Sequence, residues 1–266
     1  MTEWKTTGGR LTLLPAAPIA TGLPSALELF TRVWGAEPDG FQRPSNPLMP
    51  STAQGHRANL TFACTVQPSR IDFTISPYTP LQDPARAQFP VIEDTSQFQN
   101  ELTQAIEVIG RDVAPNSIFR VAASIQFINL QPTIADANKV LTGVIPANYG
   151  VKIENEEDFI FQVNCPYKTH IEDIRMNSII KWSVERLTIV TMSIPISPTS
   201  PSAPQSVVLE FKAASVTFDN NNTPSEKPLS AANQKLLLRA ALETALQAQQ
   251  DIGLRVEGFR YANVSH

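Results

Sequence analysis

Leu60, Phe62, Cys64 and Val66 alternate with Asn59, Thr61, Ala63 and Thr65. After Gln67, Pro68 and Ser69 the same period returns, with Ile71, Phe73 and Ile75 on one side and Arg70, Asp72 and Thr74 on the other. Successive side chains of a strand point to opposite faces, so this pattern specifies an antiparallel hairpin with one buried and one polar face. On a helix the same apolar residues would scatter around the axis.

The period recurs downstream. Val121, Ala123, Ile125 and Phe127 alternate with Ala122, Ser124 and Gln126, and Phe159, Phe161, Val163 and Cys165 with Ile160, Gln162 and Asn164. Residues 176–194 form a long β-branched stretch in which Arg186 falls in phase with Ile180, Trp182, Val184 and Val190. Val207, Leu209 and Phe211 are likewise out of phase with Val216 and Phe218. A β-bulge near Arg186, and a second in 205–218, would reconcile these phases by moving side chains to the other face. Between the two strands, the proline- and serine-rich segment 197–204 reads as an exposed tip joining antiparallel neighbours.

Three segments carry helical stripes instead. Residues 24–34 align Leu27, Phe30, Val33 and Trp34, with Pro24 in the first turn and Gly35 as the stop. Residues 96–110 align Phe98, Leu102, Ala105, Ile106 and Ile109, with Thr95 or Ser96 as N-cap and Gly110 as the end. Residues 230–251 turn Leu238, Leu242, Ala245 and Leu246 inward. A weaker helical pattern lies near 133–142, and 254–261 could add a closing strand. The resulting fold class is α+β: mostly antiparallel, twisted β-sheet packed against two or three amphipathic helices at about 24–34, 96–110 and 230–251. One domain over 1–266 is expected, since a subdivision near 112–117 has no linker to mark it.

Composition narrows the function classes. The 266 residues are 42% hydrophobic and 17% charged, against about 25% charged in an average soluble domain. Disorder, which needs low hydrophobicity and high net charge, is excluded. The net charge of -4 is evenly spread, with 9 basic and 11 acidic residues in 1–130 and 12 and 14 in 131–266. Phosphate binding favours a basic face, and no such arm exists, so nucleic acid is not expected as a partner. Apolar runs fall short of the roughly 18 residues of a membrane helix, and the first residues lack a secretory pattern. A cytoplasmic protein is expected, with Cys64 and Cys165 reduced and buried. The 22 prolines concentrate in connections around 38–50, 77–90 and 195–204, which are expected to be stiff loops where function would be sought.

Phosphate-loop, dinucleotide, nucleophile-elbow and kinase motifs are all absent, as is any Cys-x-x-Cys pair. No cofactor and no metal is expected. Four groups of residues nonetheless carry chemistry. His170, Glu172 and Asp173 put an imidazole and two carboxylates within four residues, enough for a divalent ion or a His–carboxylate pair; the plainer reading is a polar loop. His56 and Arg57 close a long proline-rich connection from residue 35, where they could line a pocket or meet an anion. Arg70 and Asp72, with Arg120 and Gln126 on a neighbouring strand, could form a guanidinium–carboxylate cleft or simple cross-strand pairs of roughly 0.2–1 kcal/mol. The acidic residues Glu154, Glu156, Glu157 and Asp158, and Asp219 beside three asparagines, lack the spacing of a calcium loop and read as solvated turns.

The reading that follows is a non-enzymatic cytoplasmic binding or interaction protein, a subunit of a bacterial or phage-related system. Its partner would be another protein or a second copy of itself. The alternative is a metal-assisted hydrolase built on His170, Glu172 and Asp173 with His56. A third reading is a structural, self-assembling component.

Overall fold

The hairpin signalled by Leu60 and Ile71 forms as two strands, Leu60–Gln67 and Arg70–Pro77, joined by the two residues Pro68 and Ser69. It belongs to a sheet of nine strands in the computed structural model, which describes residues 3–16, 24–46, 49–79, 88–113, 117–153, 158–171, 174–193 and 205–254. In chain order the strands are β1 (Lys5–Pro15), β2 (Gly40–Gln42), β3 (Ser51–Arg57), β4 (Leu60–Gln67), β5 (Arg70–Pro77), β6 (Ile118–Gln131), β7 (Ile160–Lys168), β8 (Arg175–Ser193) and β9 (Gln205–Asn222). The sheet runs β2-β3-β4-β5-β1-β6-β9-β8-β7, and every neighbouring pair is antiparallel. Among the described residues four α-helices accompany it: α1 (Ala26–Trp34), α2 (Thr95–Val108), α3 (Ile134–Thr142) and α4 (Ala231–Asp251). The fold is therefore α+β, with helices packed on a twisted antiparallel sheet.

Register fixes which side of the sheet is which. Leu11 and Leu13 of β1, Phe73 of β5, Ile125 of β6, Phe218 of β9 and Trp182 of β8 share one face and are all buried. The helices rest there: α1 against β3 and β4, α2 against β1, and α4 across β6 and β9. Burial of these side chains is the main stabilising contribution, at roughly 1.5–3 kcal/mol for each large apolar group.

The helix ends follow local chemistry. Ser25, Thr133 and Ser230 cap α1, α3 and α4, each accepting from the backbone N–H three residues on. Gly35 ends α1 at φ 66°, a left-handed conformation costly for a side chain with a Cβ. In α2 the cap is Asp94, which accepts from Gln97 N at 2.8 Å, and not Thr95 or Ser96. Nor does Gly110 stop this helix. The chain continues as a π-turn over Ile109–Val113, and Gly110 lies against α4. A Cβ there would run into the Lys235 side chain. Glu107 of α2 pairs with both Lys235 and Arg239 of α4. The Lys235 ammonium, and then the Arg239 guanidinium, hold its carboxyl below the usual carboxylate range. A depressed carboxylate contributes stability above its unfolded pKa of about 4.3, lost as pH falls through the lower folded value. Acid titration of thermal stability is expected to show this loss below about pH 4, and Glu107→Gln to flatten it.

The expected bulges are absent. The β8–β9 ladder runs without a register shift from Met176 opposite Asn222 to Ser193 opposite Gln205. What changes is the side on which apolar residues lie. Ile180, Trp182 and Val184 face the helices, and the same face continues outward as Arg186, Thr188 and Val190, all exposed. Leu187, Ile189, Leu209 and Phe211 occupy the opposite face and are half-buried, with Phe211 meeting Phe89 edge-on at 5.7 Å. Ile128, Ala213 and Ser215 are buried on that same face. The phase switch marks the place where the strands run past the helical layer.

Candidate functional site

Asp72 is the centre of the polar face opposite the helices. Its Oδ2 accepts from Nε of Arg70 at 2.6 Å and its Oδ1 from the Thr12 hydroxyl at 2.6 Å, while Arg10 Nε stands 3.8 Å away. Strand β1 lies between β5 and β6, so Arg120 and Gln126 are not direct neighbours of Arg70 and Asp72 as expected. Arg120 instead donates to Oδ1 of Asn221 at 2.6 Å, and Gln126 to the Ser215 hydroxyl at 3.2 Å. From Asn221 a ladder of amides crosses the sheet: Asn177 donates to Asn221 and Asn164 to Asn177, at 3.2 and 3.3 Å. In place of an open cleft, the chain builds a flat face whose polar groups largely satisfy one another.

The three asparagines after Asp219 are not a solvated turn. They end β9, and all three are buried. Asn220 donates to the Ala241 carbonyl of α4 at 3.0 Å. Asn222 accepts from Val121 N at 2.7 Å and donates to Phe119 O at 3.2 Å, acting as a peptide group just past the end of the β6–β9 ladder.

His56 and Arg57 sit at the end of β3, on opposite faces. The 35–57 segment is not an unstructured loop, because it contains β2 and β3. Asp39 Oδ2 accepts from His56 N at 2.8 Å and lies 2.6 Å from Nδ1, while Tyr78 stacks on the imidazole at 4.5 Å. Such a carboxylate orients the ring. Arg57 points to the helices, binds both oxygens of Glu101 in α2 at 2.6 Å and lies over the Phe62 ring. That pairing ties β3 to α2 and engages the guanidinium.

His170 lies beyond β7, in the turn to β8, where the Thr169 hydroxyl accepts from Ile171 N and donates to Ile174 O. Glu172 and Asp173 lie outside the described residues. Strands β3 and β7 are second and last in the nine-strand order. Seven spacings of about 4.8 Å therefore separate His56 from His170, on the order of 30 Å. The two imidazoles do not share a site. Among the described residues no group of three His, Cys, Asp or Glu is placed to hold a metal ion.

Of the two cysteines, both free, Cys64 is buried as expected and Cys165 is not. Cys64 is buried, which pushes its thiol well up from its ordinary value. Cys165 is exposed, because β7 is the last strand and the helical layer does not cover it there. Tyr149 lies beside it, its phenol pushed up by burial and by the Cys165 thiol.

The sequence reading did not single out the outer part of the β8–β9 hairpin. The β7 ladder ends at Ser183, with one further bond from Val184 N to Phe159 O, and the β6 ladder ends at Lys212; beyond those points, among the described residues, the two strands pair only with each other. Val190 and Val208 face one another across this ribbon and are 58% and 61% exposed. At its base Glu210 pairs with Arg186 and Lys212. The one signal was the phase switch itself, which marks apolar residues leaving the main core.

No protein-family model, curated protein or solved structure matches this chain. Among the described residues, no helix is long and apolar enough to cross a membrane.

Proposed function

We propose that this is a non-enzymatic binding protein, cytoplasmic and part of a bacterial or phage-related assembly, that takes a protein partner on the β8–β9 ribbon. The observation that carries this reading is a two-stranded projection with apolar side chains on both faces and, among the described residues, no neighbouring strand on either edge. Exposed apolar pairs and free strand edges are what an extended segment of a partner uses: main-chain hydrogen bonds give affinity, and alternate side chains give specificity. Interface cores are depleted in charge. Glu210 engages both cations at the ribbon base, Arg186 and Lys212, and the contact residues beyond it are Val190, Val208, Ile189 and Leu209.

Val190→Lys with Val208→Lys tests the reading, since both side chains are exposed and neither supports the core. Purified from its native host, the wild-type chain is expected to carry a stoichiometric protein that the double variant loses while melting at the same temperature. Retention of that protein by the variant, or a wild-type chain with no companion at high concentration, overturns the proposal.

A further inference from the structure

The two edges of the sheet are unlike. Edge strand β2 is three residues long, with Pro38 and Pro44 close on either side. Short, proline-flanked edges resist pairing. Edge strand β7 is nine residues long and, among the described residues, pairs only with β8. Val184 N donates to Phe159 O at 3.0 Å, so the odd-numbered residues of this strand aim their peptide groups at β8. Pro166, which has no N–H, falls in the other set, so no bond to β8 is lost and the outward edge has one donor fewer. The N–H and C=O groups of Ile160, Gln162 and Asn164 therefore point away from the sheet. Ile160 is 63% exposed, and no lysine interrupts the strand before Lys168.

We propose that this edge pairs with β7 of a second copy of the chain, antiparallel about a two-fold axis at Val163, making one continuous sheet from two. The register is complementary at every outward pair but one: Ile160 meets Pro166 of the second copy, where Pro166 supplies no N–H and one of the two peptide bonds is missing. Gln162 meets Asn164 of the second copy, and the two exchange both peptide hydrogen bonds. Val163 meets Val163 on the helix side, beside Phe161 and Cys165. Asp158, just before the strand, meets Lys168 at its end, twice over by symmetry. Both residues are exposed. Opposite charges across a pair stabilise and like charges destabilise it, and this register satisfies both ends. An axis at Gln162 puts Asp158 against Pro166, and an axis at Asn164 puts Lys168 against the apolar Ile160. The isologous contact closes on itself, as two-fold interfaces do. The ribbon takes no part in this pairing, so loss of a ribbon partner and loss of the dimer are separable results.

Sedimentation of the full chain across a concentration series is expected to show a monomer–dimer equilibrium. Gln162→Pro removes an outward N–H without touching the β8 ladder, and is expected to give a monomer with unchanged melting. Lys168→Asp is expected to weaken the dimer about tenfold, and adding Asp158→Lys to restore it. With Cys165→Ser in place, Val163→Cys is expected to form an intermolecular disulfide on mild oxidation. A wild-type chain that stays monomeric at every concentration overturns the proposal. So does a dimer that survives Gln162→Pro, or one that Val163→Cys fails to cross-link.

Discussion

Trp182→Ala is expected to cost about 3–5 kcal/mol of folding stability, the range for deleting a large buried aromatic side chain. Trp182 is fully buried in β8, stacked with Phe161 at 5.6 Å and edge-on to Tyr149 at 6.3 Å. It joins the sheet to the 3-10 turn over Ala147–Tyr149. Truncation leaves a cavity that a flat sheet on one side cannot collapse to fill. In a chain of this size each kcal/mol corresponds to roughly 2–4 °C in melting temperature. A drop on the order of 10 °C is therefore expected, with a lower urea midpoint and an unchanged denaturant slope. Among the described residues the buried indole Nε1 has no hydrogen-bond partner, a penalty of about 1–3 kcal/mol that the native residue carries. Trp182→Phe removes that penalty along with some volume, and is expected to lose far less stability than Trp182→Ala. Equal losses in the two variants would contradict this account of the cluster.

Asp72→Ala is the second large effect, at about 2–3 kcal/mol. The carboxylate is only 12% exposed and serves Arg70 and Thr12 directly, with Arg10 close by. Its removal leaves a buried hydroxyl and partly covered guanidinium groups without their acceptor, which costs more than the hydrogen bonds themselves. Arg10 and Arg70 are both partly in water, which keeps the figure below that of a fully buried pair. Asp72→Asn retains one acceptor oxygen and is expected to fall between the two. Thermal unfolding at low and high salt checks the origin: a buried acceptor makes the loss persist at high salt, whereas a surface ion pair would be screened. A double-mutant cycle with Thr12→Val isolates the hydroxyl contact.

The sequence displayed the fold best where one face of a strand meets large apolar neighbours. Strands β4 and β5 carry Phe62, Val66, Ile71 and Phe73 inward, and their period survives intact. Strand β3 turns Ala53 and Gly55 inward because Phe30 of α1 packs against the glycine, so its buried face leaves no apolar stripe to read. Strand β1, in the middle of the sheet, is masked in the same way by Gly8 and Gly9, the latter lying under Phe98 of α2. Asparagine is a poor strand former in isolation, and nothing local shows that Asn220 and Asn222 are held by α4 and β6. Contacts of that sequence separation are invisible to a reading by periodicity.

The site residues divide along the same line. Arg70 and Asp72 were legible as partners because they share one strand face, two residues apart. The partners of His56 and Arg57 were not, because Asp39 and Glu101 come from a different strand connection and a helix. For Arg186, period alone cannot separate a bulge from a change of buried side, since both shift the apolar phase by one. The continuous ladder resolves it in favour of the second, and that result leads to the ribbon.

Amide hydrogen exchange on the complex recovered from the native host tests the binding role most directly. The account predicts that residues 186–193 and 205–211 gain strong protection in the complex relative to the isolated chain, while α4 and the β4–β5 hairpin do not change. Protection confined to another surface, with the ribbon exchanging as fast in the complex as alone, would contradict it.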